Sequence, residues 1–456
     1  MVVRAPITIN MVNSRENKKF YIETYGCQMN VADSEVVVSL MEDQGYQLTD
    51  RMEEAGLILV NTCSIRENAE QRVWGRLDVF RQQKEKHPGT RIGVIGCMAE
   101  RLKEQLVERE KAIDLVVGPD AYRALPALLE GIESGQKGVN TLLSREETYG
   151  DIAPVRYRGN NISAFISIMR GCNNMCSYCI VPHVRGRERS RDPVTILEEV
   201  SNLSAEGYRE ITLIGQNVDS YNWENTRGGS VSFAELLNEV AQTDPQLRIR
   251  FATSHPKDLS DEVLKVMGRH PNICRHIHLP VQSGSTRILK AMNRGYTREW
   301  YLNRIEALRS HLPDAEITTD IMTGFCSETE EDHQQTLSLM EKARYDFAYM
   351  FKYSERPGTR AYKSMEDDVP EATKKKRLNE IIHLQNRIGT ENKQKATGRT
   401  FRVLVEGTSK KSPHEYHGRN SQNQVVVFPK GEAHPGDFVD VKIQKATPAT
   451  LIGKTV

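Results

Sequence analysis

No stretch of this sequence approaches the run of about 18 apolar residues that a membrane-crossing helix needs. The N-terminus, MVVRAPITINMVNSRENKKF, also lacks the long apolar core and small-residue cleavage site of a secretory signal, and residues 1–17 read as a loosely ordered tail. Net charge is nearly missing: 62 Lys and Arg against 61 Asp and Glu leave +1 over 456 residues. Any nucleic-acid surface therefore has to come from local clustering of charge. Cysteine is scarce, at eight residues. Without an export signal the expected compartment is the reducing cytoplasm, where cysteines serve as ligands or nucleophiles rather than disulfides.

What is present divides into three segments, in line with a length that accommodates about three domains. Residues 18–135 repeat one pattern three times, a strand-like run ending in Cys and followed by a helical pattern. The runs are FYIETYGC (20–27), LILVNTC (57–63) and IGVIGC (92–97). Alternation of this kind predicts a parallel sheet, whose strands all finish on one edge. Cys27, Cys63 and Cys97 are expected to meet there, on the edge where open α/β sheets hold ligands.

A polar stretch, 136–157, reads as a linker. Residues 158–390 alternate again, with strands expected at 162–170, 210–216, 248–254, 275–281, 316–325 and 346–354. Helices are expected at 194–206, 233–243, 259–268, 284–309 and 328–343. Six strand–helix repeats point to a partial or full (β/α) barrel, with its active site at the carboxyl ends of the strands. The last segment, 391–456, loses the helical period and reads as a small OB-like β-barrel. It holds 11 Lys or Arg against 6 Asp or Glu, a net of +5. A basic terminal barrel suits a grip on RNA, with Lys410 and Lys411 in a turn between strands. The run Lys374, Lys375, Lys376 and Arg377 just upstream is either part of that surface or a solvated helix face.

The densest cysteine cluster is RGCNNMCSYCI, where Cys172, Cys176 and Cys179 have CxxxCxxC spacing immediately after the first barrel strand. Three thiolates suit a [4Fe–4S] cluster with one open iron. A Cys₃His zinc site that adds His183 is the alternative. Cys27, Cys63 and Cys97 form a second triad; each alone would pass as a buried apolar residue, but three in register at strand ends suit a second cluster. Cys274 and Cys326 have no partner at ligand spacing and read as incidental.

The first cluster resembles the radical S-adenosylmethionine (SAM) signature, including Tyr178 before its third cysteine. The words YGCQMN, NTCSIRENAE, GCMAER, MRGCNNMCSYCIVPHVRGRERSR, LIGQNV, HLPVQSGS and DIMTGFCSET together resemble the methylthiotransferase family across nearly the whole chain. That resemblance implies an α/β chain of three domains: an N-terminal auxiliary-cluster domain, a radical SAM partial barrel and a C-terminal TRAM domain. YGCQMN with NTCSIRENAE is similar to the branch that converts isopentenyl-adenosine in tRNA, at position 37 beside the anticodon, to its 2-methylthio derivative. The other branches modify threonylcarbamoyl-adenosine or a ribosomal-protein Asp.

The resemblance also implies two [4Fe–4S] clusters, one SAM as methyl donor and a second as radical source. It further implies an electron donor such as flavodoxin or ferredoxin, and a sulfur donor. The aromatic C2–H of adenine offers nothing for acid–base catalysis, so cofactors carry the chemistry and no catalytic side chain is expected beyond the clusters. Tyr178, Gly215, Gln216, Ser283, Gly284 and Asp320, at the expected barrel rim, are implied SAM contacts, with ordinary loop duty as the alternative. Arg185, Arg187, Arg189 and Arg191 would alternate along extended backbone as a clamp for phosphate or the SAM carboxylate. A reading of another class is a non-catalytic iron–sulfur protein that binds RNA or carries electrons.

Overall fold

The computed structural model describes residues 18–64, 67–133, 136–157, 159 and 161–456, so the expected tail at 1–17 lies outside the described residues. The chain folds as two units, one of residues up to 25 with 37–141, the other of 26–36 with 142–456. No helix among the described residues is long and apolar enough to cross a membrane.

The first unit is built on six parallel strands. Their spatial order is Gln47–Leu48, Lys19–Tyr25, Leu57–Thr62, Arg91–Gly96, Leu115–Val117 and Gly138–Asn140. The central runs LILVNT and RIGVIG are nearly continuous in apolar residues because they are buried on both faces, as parallel strands are. Only three strands are legible in the sequence, since the other three span two or three residues. The last of them, Gly138–Asn140, falls inside the stretch read as a linker and corrects it.

The second unit contains six parallel core strands: Ser163–Ser167, Glu210–Ile214, Arg248–Ala252, His276–His278, Glu316–Thr323 and Phe347–Lys352. They are numbered one to six below. Strands one to three pair in sequence, as do four to six, and a parallel bridge between Ile249 and Ile273 links the two groups. This is an open, partial barrel. Helices start where side chains cap them: Ser232 with Glu235 and Thr329 with Asp332 form capping boxes for Phe233–Thr243 and Glu330–Ala343.

The single helix expected at 284–309 is two, Thr286–Ala291 and Arg298–His311. The break follows from Asn293 and Gly295, which take φ of +56° and +75° and leave the right-handed helical region. A further helix, Glu371–Gln394, buries Ile381 and Ile388 against the core. It also absorbs the lysine run. Lys374 is buried against Asp367 and Arg377 against Glu328, while Lys375 and Lys376 lie within 4 Å of Glu371 and Glu380, so the run is neither wholly solvated nor an open RNA surface.

The chain ends in a closed barrel with strand order Thr400–Thr408, Glu415–Asn420, Val425–Pro429, Leu451–Thr455 and Phe438–Ala446. It docks at the amino ends of the core strands. Arg248 Nη1 donates to the carbonyl of Arg419 at 2.7 Å and Arg250 Nη2 to that of Asn420 at 2.8 Å. The N–H of Arg275 donates to Ser421 Oγ at 2.9 Å, and Gln424 donates to Glu316. The turn 420–424 therefore closes the floor of the partial barrel, opposite the cysteine loop.

Candidate active site

Strand one passes through Met169–Arg170 into the loop bearing Cys172, Cys176 and Cys179. Gly171 opens the loop with φ of +79°, and a Cβ there would fall 1.9 Å from the carbonyl oxygen of Arg187, so no other residue fits. Hydrogen bonds from several segments hold the loop. The N–H of Gly171 donates to Gln216 Oε1; the N–H of Cys172 donates to the Gly186 carbonyl at 3.1 Å. The N–H of Ser177 donates to the Met292 carbonyl at 3.0 Å, and Asn293 Nδ2 to that of Met175 at 2.8 Å. The break between the two helices thus presents its turn to the cysteine loop.

Cys176 is buried, and Arg294 Nη1 lies 3.3 Å from both its Sγ and the hydroxyl of Tyr178. Burial by itself would lower the Arg294 pKa, but the facing Tyr178, Tyr296 and Cys176 raise it, so the guanidinium stays charged. Burial pushes the thiol of Cys172 up to about 11 and that of Cys179 up to about 12, with Cys176 adding to both. Crowded, desolvated thiols of this kind suit a cationic centre that would hold them as thiolates. Among the described residues, no three Cys, His, Asp or Glu side chains are placed to hold a single metal ion. His183 is exposed on the short helix Val181–Arg185. Three thiols on one loop, with His183 exposed outside it, suit a thiolate-held cluster.

A polar shell surrounds the loop. Asp258 Oδ2 accepts from Asn217 Nδ2 at 2.7 Å and from Asn174 Nδ2 at 3.4 Å, and Asn217 Oδ1 accepts from the N–H of His255 at 3.0 Å. Beside it, the carboxyl of Asp219, the neighbouring Oγ of Ser254 and both ring nitrogens of His255 are enclosed, and Ser254 stands close enough to act on Asp219. Burial pushes Asp219 up to about 7, moderated by nearby Ser254, and keeps the His255 ring neutral. Each such atom costs about 1–3 kcal/mol while unpaired. They concentrate at the carboxyl ends of strands two and three, where barrels of this kind hold ligands.

The other expected rim residues divide. Gln216 braces the cysteine loop, and Gly215 lies against Met169. Ser283 is buried, accepts from the N–H of Ser285 at 3.2 Å and lies 3.5 Å from Thr336 Oγ1. A Cβ on Gly284 would stand 2.5 Å from Thr336 Cα, so both residues pack against the helix Glu330–Ala343. Asp320 sits within strand five rather than at its end, with Oδ1 3.5 Å from His278 Nε2.

The arginine clamp is corrected. Arg185 ends a helix rather than lying on extended backbone, and it shares buried Asp33 with Arg170 at 2.7 and 2.8 Å. Burial would raise Asp33, but the two guanidiniums outweigh it and hold the carboxylate below its usual range. Arg189 donates to the carbonyls of Glu147 and Ser144, and Arg191 pairs with Glu199. All three are buried, and only Arg187 of the four is exposed. Lys410 and Lys411 are exposed in a turn, as expected. Arg294 and Asp33 carried no local signal: each acts on a segment more than 100 residues away in sequence.

In the first unit the ends of three strands lie side by side, with Tyr25 paired to Thr62 and Thr62 to Gly96. Cys63 and Cys97 follow their strands directly and are buried. Cys27 follows Tyr25 by two residues, belongs to the second unit and is exposed, its Sγ 3.2 Å from Asn30 Oδ1. No disulfide joins any of the eight cysteines.

Residues 166–340 match the Radical SAM superfamily, and with the cysteine loop at the mouth of a partial barrel they define a radical SAM protein. Residues 19–118 match the family described as Uncharacterized protein family UPF0004, and 394–456 match the TRAM domain. The chain is 58% identical over 441 residues to the tRNA-2-methylthio-N(6)-dimethylallyladenosine synthase of Bacteroides thetaiotaomicron, covering 97% of each chain. It is 53% identical to the enzyme of the same name from Christiangramia forsetii, covering 97% of this chain and 95% of that one. The chain belongs to the family of tRNA-2-methylthio-N(6)-dimethylallyladenosine synthases. A solved radical SAM methyltransferase, TsrM from Kitasatospora setae, shares the fold with a TM-score of 0.57 at 14% identity, over 86% of this chain and 79% of that one.

Proposed function

We propose that this chain is the enzyme that converts N6-isopentenyladenosine at position 37 of tRNA to its 2-methylthio derivative, using SAM both as methyl donor and as radical source. The observation that carries this reading is the 58% identity spanning 97% of both chains. Cys172, Cys176 and Cys179 would hold the radical SAM [4Fe–4S] cluster, and Cys27, Cys63 and Cys97 a second, auxiliary cluster. When bound, the first cluster supplies the single electron that splits SAM into methionine and a 5′-deoxyadenosyl radical able to take hydrogen from C2 of adenine.

The chain's own residues position and shield this chemistry. Gln216, Asn293 and the Met292 carbonyl hold the cysteine loop in place. Arg294 places a buried positive charge on Cys176. The buried oxygens of Asp219 and Ser254 offer acceptors for the ammonium and hydroxyl groups of SAM. Tyr178 and Asp320 are further SAM contacts in this reading, whereas Gly215, Ser283 and Gly284 shape the rim. Lys410 and Lys411 on the terminal barrel contact tRNA phosphates. A flavodoxin- or ferredoxin-like donor supplies electrons, and a separate donor supplies sulfur.

Mass analysis of tRNA nucleosides from cells lacking the gene tests the proposal. Loss of the methylthio group from isopentenyl-adenosine, restored by this chain, is the expected result. Loss from threonylcarbamoyl-adenosine, or an unchanged nucleoside profile with an altered ribosomal protein, would overturn it.

A further inference from the structure

The two faces of the core sheet have opposite surroundings. On one, Ile277, Ile317, Ile321 and Ala348 pack with Leu339, Met340, Ile381 and Ile388 of the surrounding helices. The other face is the inside of the partial barrel. Beside strands one to three it is filled, because Met29 and Ala32 pack there on Phe165, Ile214 and Ala252. Beside strands four to six, among the described residues, side chains on that face stay exposed.

Strand six alternates in a way that its packing does not explain. Ala348 is fully buried and Met350 packs on the core, but Phe347, Tyr349 and Phe351 are 46%, 49% and 40% exposed. Their register partners on strand five are Thr318, Asp320 and Met322, so these side chains share the inner face. The aromatic rings touch one another and their neighbour: Phe347 and Tyr349 meet edge to face at 4.9 Å, and Tyr349 meets His278 at 5.8 Å. Three large aromatic side chains left wet on one strand form an apolar surface that folding alone would not retain.

The stripe is continuous with the cysteine loop. Met322, opposite Phe351, packs on the cluster that contains Phe325, and the Phe325 ring meets Tyr178 edge to face at 6.4 Å. The stripe thus ends near the carboxyl end of strand five, two packed side chains from Tyr178 of the cysteine loop. An RNA base has to leave its stack to be modified, and extruded bases are held by aromatic side chains.

We propose that Phe347, Tyr349 and Phe351 are the wall on which the isopentenyl-adenine of the tRNA substrate stacks, and that they select its apolar tail. This rests on the functional reading above and deepens it. The three wall side chains are uncharged, and the carboxylate among their register partners is Asp320, side-chain exposure 28%. An apolar tail is compatible with it, whereas the carboxylate of a threonylcarbamoyl tail would meet like charge and aromatic edges. The three residues face open space, so they can be substituted without emptying the core.

The test measures binding of anticodon stem–loops to the cluster-loaded full-length protein without reductant, by fluorescence anisotropy. The probes carry adenosine, isopentenyl-adenosine or threonylcarbamoyl-adenosine at the target position. The parent is expected to prefer the isopentenyl probe. Tyr349→Ala and Phe351→Ala should each weaken that probe about tenfold and the adenosine probe by less, because adenosine loses the stacked ring but has no tail contact to lose. Tyr349→Phe, which keeps the ring, should retain the preference. If the parent discriminates and all three variants discriminate equally well, the wall is elsewhere and the functional reading stands. If the parent itself shows no preference for the isopentenyl probe, the substrate reading falls and the wall's assignment falls with it.

Discussion

Arg294 Nη1 donates to the Sγ of Cys176 across 3.3 Å, while Nη2 of the same guanidinium holds the carbonyl of Pro280 at 2.7 Å. The arginine thus fixes a formal positive charge beside one of the three cluster cysteines. Hydrogen bonds and charge at the sulfurs set iron–sulfur potentials, because reduction adds an electron that a nearby cation stabilises. Arg294→Met should move the midpoint of the Cys172, Cys176, Cys179 cluster to more negative potential, with Arg294→Lys falling between. Potentiometry followed by electron paramagnetic resonance reads this directly; equal midpoints in all three proteins would leave Arg294 a purely structural role.

Metal content separates the two triads. Anaerobically reconstituted protein should hold about eight irons per chain, as two cubanes. Joint replacement of Cys172, Cys176 and Cys179 by Ala should remove about half of that. Zinc in either triad of the parent would defeat the two-cluster assignment. The division of labour can be followed in the same preparations: Cys63→Ala should abolish methylthio transfer yet retain some 5′-deoxyadenosine release, and Cys176→Ala should abolish that release.

At the floor of the core, burial and the nearby Asp346 push Glu316 up to about 9, with Lys393 and Arg399 acting in the opposite sense. The folded chain therefore keeps a proton that the unfolded chain releases above about pH 4.5. Stability from this residue falls as pH rises between those two values, by up to about 1.4 kcal/mol per unit. Glu316→Gln mimics the protonated form, so its melting temperature should gain on the parent's from about pH 5 to about pH 9. Parallel melting curves across that range would contradict the assignment.

The terminal barrel offers two further measurements. Removing 394–456 would strip Arg248 and Arg250 of the carbonyls they hold, leaving buried guanidiniums beside Glu210. The truncated core should lose stability on the order of 3–5 kcal/mol or fail to fold, so deletion does not isolate RNA binding. Lys410→Ala with Lys411→Ala does isolate it. A salt series with tRNA should show a log–log slope shallower by at most about two, since each lost phosphate contact releases one fewer counterion. An unchanged slope would place the RNA grip elsewhere.

Much was settled by sequence alone because it is local. Strand runs ending in Cys27, Cys63 and Cys97, the CxxxCxxC spacing of 172–179 and the loss of helical period after 391 all depend on residues within a few positions of one another. Tertiary structure decided what depends on long-range partners. Arg185, Arg189 and Arg191 look like a basic clamp in the chain and become internal struts, because Asp33, Glu147 and Glu199 come to them in the fold. Lys374 and Arg377 are likewise consumed by Asp367 and Glu328. Conversely, 346–354 reads in the sequence as one strand among six, with nothing to set its aromatic residues apart. The fold leaves Phe347, Tyr349 and Phe351 wet, because no strand or helix among the described residues covers the inner face there as Met29 and Ala32 do beside strands one to three.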